Sequence, residues 1–275
     1  MSQLIPSSFK GHSVSLQTLS DLHLEINQQY ASFEVPVSSK YLILAGDIGS
    51  LHDYSGYLGF LEKRTNNFQK VFLVLGNHEF YNENFESGLE KARQLEQEPC
   101  LNGRLLLLHQ RRYNIPDTRV IILGCTLWSD IPPNVGEIVQ SKVQDFKKIE
   151  DWTVDQHNSA HQSDLTWLRH EVEAIHQENK NTKRDLPSIV VVTHHAPSLH
   201  GTSSPQHAQS PWSVAFGTDI LSEKWDGVKV WVFGHTHYTT EFKERGIRVL
   251  SNQRGYVLPW KDTKTDFDVK KVIWV

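Results

Sequence analysis

Short apolar runs that end in polar residues recur along the chain and predict the buried strands of a sheet. Tyr41–Ala45 and Val71–Leu75 are the clearest, because each is apolar throughout and stops at glycine. Further strand-like runs, some of them alternating between apolar and polar residues, lie at Val14–Ser20, Arg104–His109, Arg119–Gly124, Ile189–Thr193 and Val228–Phe233.

Apolar residues at a helical spacing fill several of the intervals between these runs. They predict helices over residues 54–69, 85–95 and 155–178. Because strands and helices alternate, a parallel sheet covered by helices is expected. Short runs close the chain at Ile247–Leu250, Gly255–Leu258 and Val269–Val275, and their alternation predicts a second, antiparallel sheet layer.

Two segments interrupt the alternation and predict long loops. The pattern loosens over residues 126–153, where Pro132 and Pro133 cannot continue a central strand because proline lacks the ladder donor. Residues 198–211 are rich in Ser, Pro, Gly and His. Each excursion is either a substrate-contacting loop or a plain surface insertion, and the sequence leaves both interpretations open.

Composition limits the class of protein. The chain has 275 residues, of which 38% are hydrophobic and 22% charged, as in a globular protein. A net charge of −4 gives no basic field for long nucleic acid. Two cysteines favour a reducing compartment, so a cytoplasmic location is expected. We expect no secretory signal, no membrane span of ~18 apolar residues, and a single domain over residues 1–275.

Five of the predicted strands end in residue types that bind metals. Asp21 and His23 are two residues apart, as are His235 and His237, so each pair would face one side of an extended segment. Strand ends of an α/β sheet meet at one cleft. Mixed imidazole and carboxylate ligands suit Zn²⁺, Mn²⁺ and Fe. Singly these motifs are ordinary turns, but together they predict a site for two metal ions.

The ordered blocks resemble those of the calcineurin-like metallophosphoesterase superfamily. They are Asp21-x-His23, Gly46-Asp47, Gly76-Asn77-His78-Glu79, His194 and Gly234-His235-Thr236-His237. The resemblance runs from the first strand to Tyr238. It implies an α/β fold, a four-layer α/β/β/α sandwich of two mixed sheets flanked by helices, with a dinuclear metal site at the strand ends.

The resemblance also implies roles for individual residues. One metal would be held by Asp21, His23, Asp47 and His237, and the other by Asp47, Asn77, His194 and His235. Asp47 would bridge them, and the ions would be Mn, Fe or Zn. His78 would face the substrate phosphate and protonate or stabilise the leaving group. His195 is a possible rival of His194 or a substrate neighbour, and Glu79 could orient a neighbouring histidine.

The implied function is a metal-dependent phosphoester hydrolase, in which a metal-bridging hydroxide attacks phosphorus in line. The size and charge of the chain favour a phosphodiesterase on small substrates such as nucleotides or cyclic nucleotides. Trp128, Tyr81 or Trp212 could stack on such a substrate. The alternatives are a phosphomonoesterase or protein serine/threonine phosphatase, and a non-catalytic scaffold like that of the retromer coat, which the complete ligand set disfavours.

Overall fold

The computed structural model describes residues 13–182, 186–257 and 266–275. Its strands are β1 Ser15–Leu19, β2 Tyr41–Ala45, β3 Lys70–Val74, β4 Leu105–Leu107, β5 Arg111–Asn114, β6 Val120–Gly124, β7 Ser188–Val192, β8 Val228–Phe233, β9 Thr240–Glu244, β10 Ile247–Ser251 and β11 Val272–Trp274. Its α-helices are α1 Tyr54–Asn67, α2 Phe85–Gln97, α3 Gly136–Lys142, α4 Asp145–Lys148 and α5 Val154–Thr182.

The strands form two mixed sheets. In the first, the order is β11-β1-β2-β3-β4, with β11 antiparallel to β1 and the other pairs parallel. In the second, the order is β5-β6-β7-β8-β10-β9, with antiparallel pairs only at its two edges. The parallel strands of each sheet therefore end on a common edge, where their following loops can meet.

Apolar side chains alternate between two layers of core. Ile43 of β2 faces the space between the sheets, where it belongs to one cluster with Val190 of β7. Its neighbours Leu42 and Leu44 point the other way and pack under α1 and α2. The outer face of the second sheet packs likewise against the apolar stripe of α5, which includes Leu168. These layers make the expected α/β/β/α sandwich.

Local signals explain where several helices begin. The Asp53 side chain accepts the N–H of Gly56 at the start of α1, and the Asn84 side chain accepts the N–H of Ser87 at the start of α2. Such caps satisfy amides that have no partner inside a helix. Both helices fall where the apolar stripes predict them.

Some element predictions are wrong. Strands β5 and β9 were not predicted, because their edge positions leave polar residues on both faces. The terminal runs do not form a separate antiparallel layer, since β10 pairs parallel with β8 and β11 joins the first sheet. Residues 255–257 form no strand, and Leu258 lies outside the described residues. Helix α5 continues through 179–182, where a loop was expected.

Four histidines of α5 divide as predicted between helix packing and surface. His157 Nε2 accepts the N–H of Ser129 at 3.2 Å, and His161 Nδ1 donates to the Leu127 carbonyl at 2.7 Å. Both histidines are buried and tie α5 to the start of the 126–153 excursion. His170 is exposed and His176 is half-buried, the latter 3.9 Å from a carboxylate oxygen of Asp226.

The two excursions pack against each other through a small apolar cluster of their own. Ile131, Val139 and Val143 come from the first excursion. Ala215 and the half-buried Trp212 lie past residue 211, so the second excursion extends beyond its predicted end. We call this paired structure, residues 126–153 and 198–217, the cap. Because the excursions share a core, they form one structure beside the strand ends.

Two further observations bear on the cellular setting. No helix in the described ranges has the length and apolarity needed to cross a bilayer. Cys100 and Cys125 are both free thiols.

Candidate dinuclear metal centre

The side chains that follow β1, β2, β3, β7 and β8 meet at one site. Besides a group of His23, Glu25 and His78, two groups of ligand atoms that share Asp47 form there, and the atoms of each group lie within 4.8 Å of one another. The first group is Asp21, His23, Asp47 and His237, and the second is Asp47, His194 and His235. Asn77 adjoins the second group, with its Oδ1 3.0 Å from His194 Nε2. All seven predicted ligands are thus brought together, and Asp47 is common to both groups.

Most of these residues stand on left-handed backbone, which non-glycine residues rarely adopt. The φ angle is 53° at Asp21, 47° at His23, 53° at Asp47, 72° at His235 and 51° at His237. The prediction of extended backbone for the pairs Asp21/His23 and His235/His237 is therefore wrong, although the side chains of each pair do reach the same centre. Conformations of this kind cost about 1–3 kcal/mol each and concentrate at functional sites.

Two glycines let backbone approach the ligand side chains closely. A Cβ on Gly46, whose φ is +89°, would lie 2.3 Å from Nδ1 of His194. A Cβ on Gly76 would lie 2.2 Å from Oδ1 of Asp47. Any larger residue at either position would displace a ligand, which explains why both strands stop at glycine.

Several ligand-type atoms lack the partner that a buried polar group needs. Asp21 Oδ2 and His235 Nε2 are buried with no hydrogen-bond partner among the described residues. His23 Nε2 and His237 Nε2 lie only 2.8 Å apart, although both are basic nitrogens. A cation bound among these atoms would satisfy all of them, so the donor set fits a metal centre.

A backbone carbonyl fixes the tautomer of His194. Its Nδ1 lies 2.9 Å from the carbonyl oxygen of Ala45, which can only accept, so Nδ1 carries the proton. Nε2 is thereby left to face Asn77 Oδ1 at 3.0 Å and Asp47 Oδ1 at 3.4 Å. A partner of this kind commonly aims an imidazole at a metal.

Burial and neighbouring charges shift the pKa values of these residues in different directions. Burial acts to raise the pKa of Asp47, but the charges of His194 and other histidines outweigh it and hold that pKa well below its usual range. Burial lowers the pKa of His237 to about 3 and that of His235 well below its usual value. Burial also raises the pKa of Asp21 to about 7. At His194 burial acts to lower the pKa, but the charge of Asp47 outweighs it and raises that pKa to about 9. A bound cation would take the place of the protons that Asp21 and His194 otherwise hold.

Asp145, which the sequence analysis did not identify, orients the amide of Asn77. Asn77 Nδ2 donates to Asp145 Oδ1 at 2.7 Å, and the Tyr81 hydroxyl donates to the same oxygen at 2.8 Å. Because the carboxylate accepts, the amide oxygen of Asn77 is the atom left to face His194. Asp145 lies on α4, so the 126–153 excursion reaches the metal centre itself.

Asp145→Asn should weaken metal binding by roughly 10–100-fold, the usual cost of losing a group that orients a ligand. An asparagine there no longer dictates which end of the Asn77 amide faces the centre. The measurement is metal retained after dialysis against graded chelator. Glu137→Gln is the matched control, because it removes an exposed carboxylate from the same excursion. Equal metal retention in the two variants would contradict the role of Asp145.

Glu79 organises the loops after β2 and β3. Its Oε2 accepts the N–H groups of Gly76 at 2.7 Å and Asp47 at 3.0 Å, and its Oε1 accepts from the Ile48 N–H at 2.8 Å and the Tyr57 hydroxyl at 2.9 Å. Burial raises the pKa of Glu79 to about 7. The prediction that Glu79 orients a histidine is therefore wrong: it holds the backbone that carries Asp47.

His78 lies beside the metal centre with its two ring nitrogens in different surroundings. Nδ1 lies 2.8 Å from Glu25 Oε1, which only accepts as a carboxylate, so Nδ1 carries a proton. Nε2 lies 3.0 Å from the Tyr256 hydroxyl and 3.9 Å from Asp47 Oδ2. Nε2 is thus the atom that His78 presents to the centre.

Glu25 serves two histidines. Its Oε1 is 3.6 Å from Nδ1 of His23 as well as 2.8 Å from Nδ1 of His78, and its Oε2 is buried with no partner in the described part of the chain. It accepts from His78 directly and turns the Nε2 of that ring toward the centre, while His23 Nδ1 lies 3.2 Å from His78 Nδ1. Sequence reasoning missed Glu25. The signal was the continued spacing of two residues through Asp21, His23 and Glu25.

His195 and Trp128 lie behind the metal centre. Their exposed fractions are 0% and 1%, and the His195 ring packs 4.1 Å from the ring of His235. The prediction that Trp128 could stack on a substrate is therefore wrong. Burial likewise keeps His195 from contact with a substrate. His195 belongs to neither group of ligand atoms, so His194 is the histidine that joins the centre.

A cavity of about 380 Å³ lies between the metal centre and the cap. Asp47, Asn77 and His235 form part of its lining on the metal side. Aromatic and hydroxyl side chains supply much of the rest, and both excursions contribute. The aromatic lining residues are Tyr81, Trp212, Phe216 and Tyr256. This volume suits a small molecule with one phosphate group.

Comparison with known proteins agrees with the geometry. The calcineurin-like phosphoesterase family matches residues 18–239. An uncharacterized protein of Acanthamoeba polyphaga mimivirus is 30% identical over 267 residues, which cover 88% of this chain and 91% of the relative.

The fold is shared with a solved structure of higher similarity. The phosphopantetheinyl hydrolase of Mycobacterium tuberculosis aligns with a TM-score of 0.63 at 19% identity, covering 90% of this chain and 91% of that one. A dimetal phosphatase from Danio rerio aligns more distantly, with a TM-score of 0.46 at 11% identity over 86% of each chain. On its match over residues 18–239, this chain belongs to the calcineurin-like phosphoesterase family.

Proposed function

We propose that the protein is a dinuclear-metal-dependent phosphodiesterase that acts on small substrates. One observation carries the proposal: the seven ligand-type side chains converge around Asp47 at the base of a cavity of about 380 Å³. We assign Asp21, His23, Asp47 and His237 to one ion. We assign Asn77, His194 and His235, again with Asp47, to the other. The ions would be Mn, Fe or Zn.

When bound, two such ions activate a water nucleophile and neutralise charge on the phosphate oxygens. The chain itself positions the substrate and assists the leaving group. His78 faces the cavity through Nε2, while Glu25 holds its Nδ1 proton. That arrangement lets His78 stabilise the leaving oxygen.

Charge balance favours a diester over a monoester. Two divalent cations bring four positive charges, of which Asp21 and Asp47 neutralise two and an anionic nucleophile a third. The remaining charge matches the monoanion of a phosphodiester better than the dianion of a monoester. Among the described residues that line the cavity, Lys142 is the only lysine or arginine, and it is exposed.

The cap favours a small substrate. Residues of both excursions line the cavity beside the metal centre, so a substrate there has to fit between the cap and the ligand-type residues. The half-buried Trp212 and Phe216 offer flat apolar surfaces in the lining, which suit a nucleoside or another aromatic arm. A cytoplasmic location agrees with the two free thiols.

A substrate panel with added Mn²⁺ tests this function. We expect hydrolysis of bis-(p-nitrophenyl) phosphate and of a 2′,3′- or 3′,5′-cyclic nucleotide, with kcat/KM at least ~10-fold above that for p-nitrophenyl phosphate or a phosphopeptide. Preference for the monoester would overturn the diesterase assignment. Absence of hydrolysis throughout, with no metal bound, would instead favour a scaffold.

A further inference from the structure

We propose that Tyr256 is a further catalytic residue, whose hydroxyl contacts the leaving oxygen of the substrate in front of His78. This inference rests on the proposed function. Tyr256 lies beyond the stretch that the family resemblance covers, which ends at Tyr238, and the sequence analysis placed it only in the strand-like run Gly255–Leu258.

The position of Tyr256 carries the proposal. Its hydroxyl lies 3.0 Å from His78 Nε2, and its ring centre lies 4.4 Å from that of His23 and 4.6 Å from that of His237. The side chain lines the cavity, and the residue is 40% exposed. Tyr256 therefore touches both the first group of ligand-type residues and the space open to a substrate.

The backbone around Tyr256 is tied to the loop that carries Asp21. The Gly255 N–H donates to the Asp21 carbonyl at 3.0 Å, and the Arg254 N–H donates to the Ser20 carbonyl at 3.2 Å. The Arg254 side chain also donates to the Leu22 carbonyl at 3.1 Å. These hydrogen bonds fix the position of the phenol relative to the metal centre, as contact with a reacting atom requires.

The hydrogen-bond chain gives the phenol a free donor. Glu25 accepts from His78 Nδ1, so Nε2 is the nitrogen turned toward Tyr256. Nε2 donates to the phenol when His78 carries protons on both ring nitrogens, and the phenol then donates its own proton elsewhere. His78 is the one hydrogen-bond partner recorded for this hydroxyl in the described part of the chain, so the donor is left for a group in the cavity.

The reaction assigns that donor a role. The hydroxyl of water forms a new bond to phosphorus, and the bond from phosphorus to the leaving oxygen breaks with its electron pair on that oxygen. The proton of the same water finally neutralises the leaving oxygen. While negative charge develops there, a hydrogen bond from Tyr256 stabilises it, and most strongly when the leaving group is a poor one.

Tyr256→Phe tests the proposal, because it removes only the hydroxyl and keeps the ring against His23. The substrates are methyl aryl phosphates whose phenol leaving groups span a range of pKa. We expect kcat to fall about 100-fold for the poorest leaving group and by less than about 3-fold for p-nitrophenol, with KM and bound metal unchanged. Tyr113→Phe, on the distant strand β5, is the matched control.

A double variant adds a second readout. If Tyr256 and His78 act on the same oxygen as a unit, Tyr256→Phe should cost little further activity in a His78→Ala background. A loss independent of leaving-group pKa, or no loss, would overturn the inference while leaving the phosphodiesterase function intact. If the unaltered protein hydrolyses no phosphoester, the proposed function fails and this inference fails with it.

Discussion

Asp47→Asn should remove metal from both positions of the centre at once. Asp47 is the residue common to both groups of ligand atoms, and its carboxylate also accepts the His78 N–H at 2.9 Å. Asparagine keeps the shape and can keep that hydrogen bond, so the lost charge is the main change. Losing an outer partner alone costs roughly 10–100-fold in metal affinity, so losing a shared ligand should exceed ~100-fold for both ions.

Elemental analysis and metal-dependent thermal melting measure this effect. The unaltered protein should melt at a higher temperature with added metal, because binding to the folded state alone stabilises it. Asp47→Asn should lose that shift while melting normally in chelator. Asp117→Asn changes an exposed carboxylate in the turn between β5 and β6 and serves as the control. Normal metal content in Asp47→Asn would exclude the bridging role.

His78→Ala should keep both metals but lose roughly 10²–10⁴ in kcat, the range that an acid or charge-stabilising group supplies. The loss should be steepest for alkyl leaving groups, since those carry the most charge on the departing oxygen. His78 lies outside the two groups that share Asp47, which is why metal should remain.

Rates across a leaving-group series, with metal content measured on the same samples, check this prediction. His170→Ala removes an exposed imidazole from α5 and is the matched control. A loss that does not vary with leaving-group pKa would remove His78 from leaving-group chemistry. Loss of metal would make it a ligand, as its group with His23 and Glu25 would allow.

The principal ligands could be predicted because they follow a repeating pattern. A buried strand reads as an uninterrupted apolar run, and Asp47 or His194 follows directly where such a run stops. Parallel strands end on one edge of a sheet, so the convergence of these residues follows from topology alone. The side chains converge as expected, although Asp21 and His23 are left-handed and not extended.

The residues that support the ligands could not be found in this way. Asp145, Glu25 and Tyr256 do not stand directly at the end of a buried strand, and each meets the site through long-range hydrogen bonds. The prediction that Trp128 contacts substrate failed because an aromatic residue in an irregular segment is expected to be accessible, whereas packing in the folded chain buries it. Side-chain burial depends on which segments pack together, and a local pattern does not contain that information.

By itself, the sequence determined which residue types lie at the strand ends, and thus the family, the two-sheet architecture and the set of candidate ligands. Tertiary structure alone decided that the excursions pack into a cap, that Asn77 is oriented by Asp145, and that Tyr256 lies in front of His78. The physical reason is range: strand patterns arise from contacts repeated along the chain, whereas these contacts join residues 68 and 178 positions apart.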